Sequence, residues 1–154
     1  MTPFPHTYSS RLTGGPTDPA ELSARGLPLL RAAPPVQFDG PGDAWSPEQL
    51  LLAAVASCFL FTLRAVARVS KTEFIDLQLE TTGTVDRQDR LTRFTNIELR
   101  AVLTIPSGAD QARAMTMLEK AKSACLVSAS LAVPLRLVPE VREAPAPAWI
   151  RKAS

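Results

Sequence analysis

Residues 46–71 read SPEQLLLAAVASCFLFTLRAVARVSK, and the rest of the chain is organised around them. Ser46 suits an N-cap, Pro47 the first helical position, and Gln49 completes an S-x-x-Q capping box, so the spacing predicts a helix beginning here. From Leu50 to Leu63 no residue is charged and apolar side chains cover every face. Such a helix is expected to be central and buried all round. The uncharged run is shorter than the ~20 residues a bilayer core demands. Arg64, Arg68 and Lys71 close it with cations that suit a helix C-terminus, so a membrane span is not expected. Cys58 lies near the middle of the run, and its role is the main functional question in this sequence.

Outward from this helix, 154 residues with 45% hydrophobic content and a formal charge of +2 fit one globular domain, residues 1–154. Seventeen basic and fifteen acidic residues are interspersed, and one Tyr and two Trp offer little for base stacking, so no nucleic-acid footprint stands out. The N-terminal MTPFPHTYSS has neither the basic patch nor the apolar run of a secretory signal, and a cytoplasmic location is expected. G-x-S-x-G, P-loop and G-x-G-x-x-G patterns are absent, which leaves serine hydrolysis and nucleotide chemistry without a foothold. One histidine, His6, and two distant cysteines do not make a zinc site. Cys58 and Cys125 are therefore a disulfide, two inert core thiols or a redox couple.

Before the helix, residues 6–13 (HTYSSRLT) read as a strand stopped by Gly14-Gly15-Pro16. Residues 20–25 pair back on it, and residues 27–31 form a further short strand. Residues 32–45 hold prolines and glycines that disfavour regular structure and form a loop long enough to line a site. After the helix, residues 74–85 alternate Ile75, Leu77 and Leu79 against Asp76, Gln78 and Glu80, the period-two pattern of a half-buried strand. A polar turn over residues 86–90 leads to a second run with Ile97, Leu99, Ala101, Leu103 and Ile105 on one face, making an antiparallel hairpin. Pro106 ends it. Ser107, with Asp110 three residues on, opens a helix whose apolar stripe is Ala114, Met117, Leu118, Ala121, Ala124 and Cys125. A short helix over residues 126–132 and a strand over residues 135–141 follow. The tail over residues 142–154 is expected to be loosely held unless Trp149 docks. The order is an α+β plan, with antiparallel sheets packed on a long central helix.

Taken together, SPEQLLLAAVASCF around Cys58 and EKAKSACLVSASL around Cys125 resemble the OsmC/Ohr family of thiol peroxidases, in both motifs and in their order. The resemblance extends from the N-terminal strands to Val141. It implies an intertwined homodimer of the OsmC-like fold and a cytoplasmic stress-response peroxidase acting on organic hydroperoxides. It implies that Cys58 attacks the peroxide, that Cys125 resolves the sulfenic acid as a disulfide, and that Glu48 positions a partner cation. No bound cofactor is implied; an external thiol, such as a dihydrolipoyl group, restores the dithiol. Neither nucleic acid nor membrane is among the implied partners. The thiolate is the nucleophile and a nearby thiol traps the sulfenic acid before further oxidation, so these residue types suit the chemistry. Leu and Phe side chains of QLLLAAVASCFLF would favour a greasy peroxide over hydrogen peroxide, or simply fill a core.

Two features depart from the family. The arginine expected just after a Gly-Gly pair in the N-terminal hairpin is replaced by Pro16, Thr17 and Asp18, leaving Arg11, Arg25 or Arg31 as substitutes. Ala129 stands where a polar residue is common. A non-enzymatic dimeric module, with its cysteines inert or serving as a slow redox sensor, is the rival reading, and a carrier of small hydrophobic ligands is a third. Glu48 and Cys58, ten residues apart on one straight helix, are separated by about 15 Å along the axis and roughly 80° around it. If Glu48 assists Cys58, the carboxylate is therefore expected to come from a second subunit.

Overall fold

The computed structural model describes residues 3–145. The chain forms two compact units, one ending at Leu51 and one beginning at Leu52. In the first, β1 (Arg11–Thr13), β2 (Ala20–Ser23) and β3 (Leu30–Ala32) make an antiparallel sheet in the order β1-β2-β3. The strands are shorter than residues 6–13, 20–25 and 27–31 predict. Residues 6–10 stay outside the sheet, and β3 slides toward Ala32, one of the few buried residues of this unit. The loop over residues 32–45 contains a 3-10 turn at Val36–Phe38, where the prolines were expected to forbid regular structure. It is pinned at Gly40, where a Cβ would lie 1.6 Å from the Pro34 carbonyl oxygen, so only glycine fits.

The loop delivers the chain to α1 (Pro47–Ser70). The capping box forms as its sequence predicts: Gln49 N–H donates to Ser46 Oγ at 3.1 Å and Ser46 N–H to Gln49 Oε1 at 2.9 Å. Among the described residues, α1 is the helix long and apolar enough to cross a membrane.

In the second unit, β4 (Asp76–Gln88) and β5 (Leu91–Ile105) form the expected antiparallel hairpin. It runs further than expected, because the turn is only Asp89-Arg90, both at positive φ (52° and 65°), the two-residue geometry that matches strand twist. Pairing shifts at Thr84/Val85, opposite Asn96 and Phe94. Ile97, Leu99, Ala101, Leu103 and Ile105 are buried, as their alternation predicts. Ile75 precedes β4 and is exposed, which departs from its expected inward position.

α2 (Gln111–Ala124) starts from Asp110, whose side chain accepts from Arg113 N–H at 2.9 Å. The cap is thus Asp110 rather than Ser107. Ala114, Met117, Leu118 and Ala121 are buried, while Ala124 points to solvent. A single turn, α3 (Leu126–Ala129), is shorter than residues 126–132. β6 (Leu135–Glu143) then pairs with β5 in parallel, so the sheet is mixed, in the order β4-β5-β6. α2 and α3 form the crossover that a parallel neighbour requires. Arg142 and Glu143 belong to β6 rather than to a loose tail, and Trp149 lies outside the described residues.

The core of this unit gathers Val55, Phe59, Leu63 and Ala67 of α1 with Leu99 and Leu103 of β5, Met117 and Leu118 of α2, and Leu137 of β6. Each fully buried Leu or Phe contributes about 1.5–3 kcal/mol by leaving water. On α1 the buried positions are these four alone, one stripe at i, i+4 spacing. The all-round burial expected for the helix is not met within one chain. Phe61 is 60% and Val69 87% exposed, because one mixed sheet and α2 cover a single face of an apolar cylinder.

Candidate active site

Cys58 sits midway along α1, one position before the buried Phe59, and is half-buried, not enclosed as an all-round apolar helix implied. Thr62, one helical turn on, shares its face. Cys125 is fully buried at the junction where α2 ends and α3 begins. The backbone is extended there (φ −69°, ψ 111°), which breaks the helix and turns the first N–H groups of α3 away from the α2 ladder.

This break brings the two cysteines together. The Cys58 thiol faces the Cys125 side chain, the Thr62 hydroxyl and the backbone N–H groups of Val127 and Leu126. Ser128, further round α3, donates from Oγ to Cys125 Sγ at 3.2 Å. Both sulfurs are free thiols.

The same packing acts on the two groups in opposite directions. Burial pushes Cys58 up, but hydrogen bonds from the Val127 N–H, the Cys125 thiol, Thr62 and the Leu126 N–H outweigh it and hold Cys58 below the ordinary thiol value. Burial also pushes Cys125 up; the Ser128 hydroxyl and N–H pull back, but the adjacent Cys58 sulfur adds to the upward push, and Cys125 stays above the ordinary value. Neutral donors at Cys58 thus do part of what a cation would do. The sequence pointed to both cysteines, and to Ser128 only as the serine of the C-x-x-S pattern with no role assigned, but not to Thr62 or the α3 amides. A threonine four residues past Cys58 and a serine three past Cys125 were the available signals.

Glu48 lies in the first turn of α1, and its Oε2 is buried without a hydrogen-bond partner. It lines a cavity of about 520 Å³ with Pro16, Asp18, Pro34, Phe38 and Pro47. Asp18, one of the residues that follow Gly14-Gly15 in place of the expected arginine, thus puts a second carboxylate at this cavity. Of the substitutes considered, Arg31 faces Asp43 at 3.8 Å across exposed surface, and Arg11 and Arg25 carry no ion pair among the described residues. Arg64 lies over the Phe61 ring at 5.5 Å. Ala129 ends α3 with an exposed side chain.

The family model for OsmC-like proteins matches residues 40–138, which include both cysteines and Glu48. An uncharacterized protein of Bacillus subtilis strain 168 is 33% identical over 100 residues, 63% of this chain and 67% of that one. An organic hydroperoxide resistance protein of Xanthomonas axonopodis pv. citri is 29% identical over 125 residues, 78% of this chain and 82% of its own. Among solved structures, an organic hydroperoxide resistance protein of Legionella pneumophila superposes with a TM-score of 0.70 at 27% identity, covering 88% of this chain and 96% of that one.

Proposed function

The chain belongs to the OsmC-like family, and from that premise we propose that it is a thiol-dependent peroxidase for organic hydroperoxides, with Cys58 peroxidatic and Cys125 resolving. The observation that carries this reading is the pairing of a half-buried Cys58 on α1 with a buried Cys125 at the α2–α3 break, where Ser128 donates to its sulfur, with Cys58 held low and Cys125 high. A nucleophile has to be a thiolate, whereas its partner is best kept protonated until needed.

In the proposed cycle the Cys58 thiolate attacks one peroxide oxygen. The O–O bond breaks, the alcohol leaves with a proton, and Cys58 becomes a sulfenic acid. Cys125 then attacks the Cys58 sulfur, and the displaced hydroxide departs as water with the Cys125 proton. An external dithiol, such as a dihydrolipoyl group, reduces the disulfide by exchange. The names of the Xanthomonas and Legionella relatives support an organic peroxide.

The working unit in this reading is a cytoplasmic homodimer. Its support is the uncovered apolar face of α1, with Phe61 and Val69 exposed. Helical spacing keeps Glu48 far from Cys58 along α1, so the carboxylate that completes each site belongs to Glu48 of the partner subunit. Its buried, unpartnered Oε2 supports a role in holding a cation or donor.

Stopped-flow thiol consumption with cumene hydroperoxide against hydrogen peroxide, followed by mass spectrometry, tests the proposal. Preference for the organic peroxide and a Cys58–Cys125 disulfide are expected; an unreactive protein sinks it. One observation favours a second reading: Pro16, Thr17 and Asp18 in place of the hairpin arginine favour a redox-sensing module, for which the same assay returns one oxidation without turnover.

A further inference from the structure

Serines in these helices mostly turn their hydroxyls back to a carbonyl one turn earlier. Ser57, Ser70, Ser123 and Ser130 all do so, at 2.9–3.0 Å. Ser128 instead gives its hydroxyl hydrogen to Cys125 Sγ at 3.2 Å. Ser128 is the third residue of α3, just past the extended Cys125, so its own helix offers no carbonyl a full turn earlier and the weakly accepting Cys125 sulfur is the partner its hydroxyl reaches. The arrangement makes chemical sense if that sulfur later carries charge, since a thiolate is a much stronger acceptor than a thiol.

We propose that Ser128 is a positioning residue for the resolving half of the cycle: its hydroxyl holds Cys125 Sγ toward Cys58 and keeps a hydrogen bond on that sulfur as its proton leaves. This inference rests on the peroxidase reading above and adds a role that the two cysteines alone do not define. The balance is closed within the pair. Cys58 sulfenic acid and Cys125 thiol become a disulfide and water, the Cys125 proton leaves with the Cys58 hydroxide, and Ser128 retains its own hydrogen. Because the bond strengthens as charge develops on Sγ, it favours the transition state over the resting thiol.

The geometry also gives the step an order. The titratable group facing Cys125 is Cys58 of α1, and while Cys58 is a thiolate its charge opposes a second thiolate beside it. Oxidation to the neutral sulfenic acid removes that charge. Burial then remains the main opposition to ionising Cys125, and the Ser128 hydroxyl works against it. Resolution is thereby held back until there is something to resolve.

The test compares Ser128→Ala and Ser128→Thr with the wild-type chain. Reduced protein is mixed with cumene hydroperoxide, and sulfenic, disulfide and sulfinic forms are followed by quenched-flow mass spectrometry. Ser128→Ala should oxidise Cys58 at the wild-type rate but form the disulfide about tenfold more slowly, the scale of one hydrogen bond. It should divert Cys58 toward sulfinic acid as peroxide is raised. Ser128→Thr keeps the hydroxyl and should resolve like wild type. In a Cys58→Ser background, ultraviolet titration of the Cys125 thiolate should move upward with Ser128→Ala and return with Ser128→Thr. Equal slowing of both steps in Ser128→Ala, or a threonine variant that behaves like alanine, overturns the positioning role. If wild type turns over and Ser128→Ala resolves and titrates like it, this inference alone falls; if wild type consumes no hydroperoxide, the peroxidase reading falls with it.

Discussion

Cys58 and Cys125 are the same residue in contact with each other, yet their surroundings push them in opposite directions. Cys58 projects from an unbroken helix, half-buried, with its own turn supplying Thr62 and another element supplying two backbone N–H groups. Cys125 lies at a helix break, fully buried, with the Ser128 hydroxyl as a donor and Cys58 as an opposing charge. Burial acts against the charge on both; the donors facing Cys58 outweigh it there, while Cys58 itself opposes ionisation of Cys125.

The largest effect expected is loss of peroxide turnover to background in Cys58→Ser, which removes the thiolate, with native circular dichroism retained. Residual turnover through Cys125 would erase the distinction between the two thiols. Next, Cys125→Ser should consume about one equivalent of peroxide per chain and then accumulate Cys58 sulfinic acid by mass spectrometry. Multiple turnovers with thiol reductant would show that the second cysteine is dispensable.

The packing behind the contrast can be tested on two phenylalanines of α1. Phe59→Ala should lower the unfolding free energy by about 3–5 kcal/mol in urea titrations, because Phe59 is 1% exposed within the core cluster. Phe61→Ala should leave a monomer nearly unchanged, within about 0.5 kcal/mol, and any larger loss should depend on protein concentration, the mark of a second copy covering that face.

The smallest effect concerns pH. Because Cys58 is held below the ordinary thiol value, its thiolate fraction rises with pH and should level off before an unperturbed thiol would, while Cys125 remains protonated through that range. Iodoacetamide at neutral pH should therefore label Cys58 first. Thr62→Val should move the Cys58 inflection upward and slow labelling several-fold at fixed pH, as expected for loss of a single hydrogen bond. The linked stability has the same sign: the contribution of Cys58 is present above its unfolded value and is lost as pH falls through the folded one.

Much of this was legible in the residues because it is local. The Ser46–Gln49 box fixed the start of α1, and the alternation from Ile97 to Ile105 fixed both the strand and its inward face, since each pattern records the period of its own element. The length of β4 and β5 was underestimated because charged Asp89 and Arg90 read as part of a longer loop, whereas their two positive φ values close the hairpin in the minimum space. The motif around Cys125 was singled out through its resemblance to a family, and Ser128 belonged to its C-x-x-S pattern. No role for that hydroxyl could be read until its hydrogen-bond partner was known.

By itself the sequence determined the order of elements, the capped central helix, the buried face of β5 and the α+β class. Tertiary structure alone decided three things: that β6 lies parallel to β5, that one stripe of α1 is buried, and which donors face each of the two thiols. An all-apolar helix has no periodicity from which to choose a face. Strand partnership and the set of donors around each thiol depend on packing between segments far apart in the chain, which no local pattern encodes.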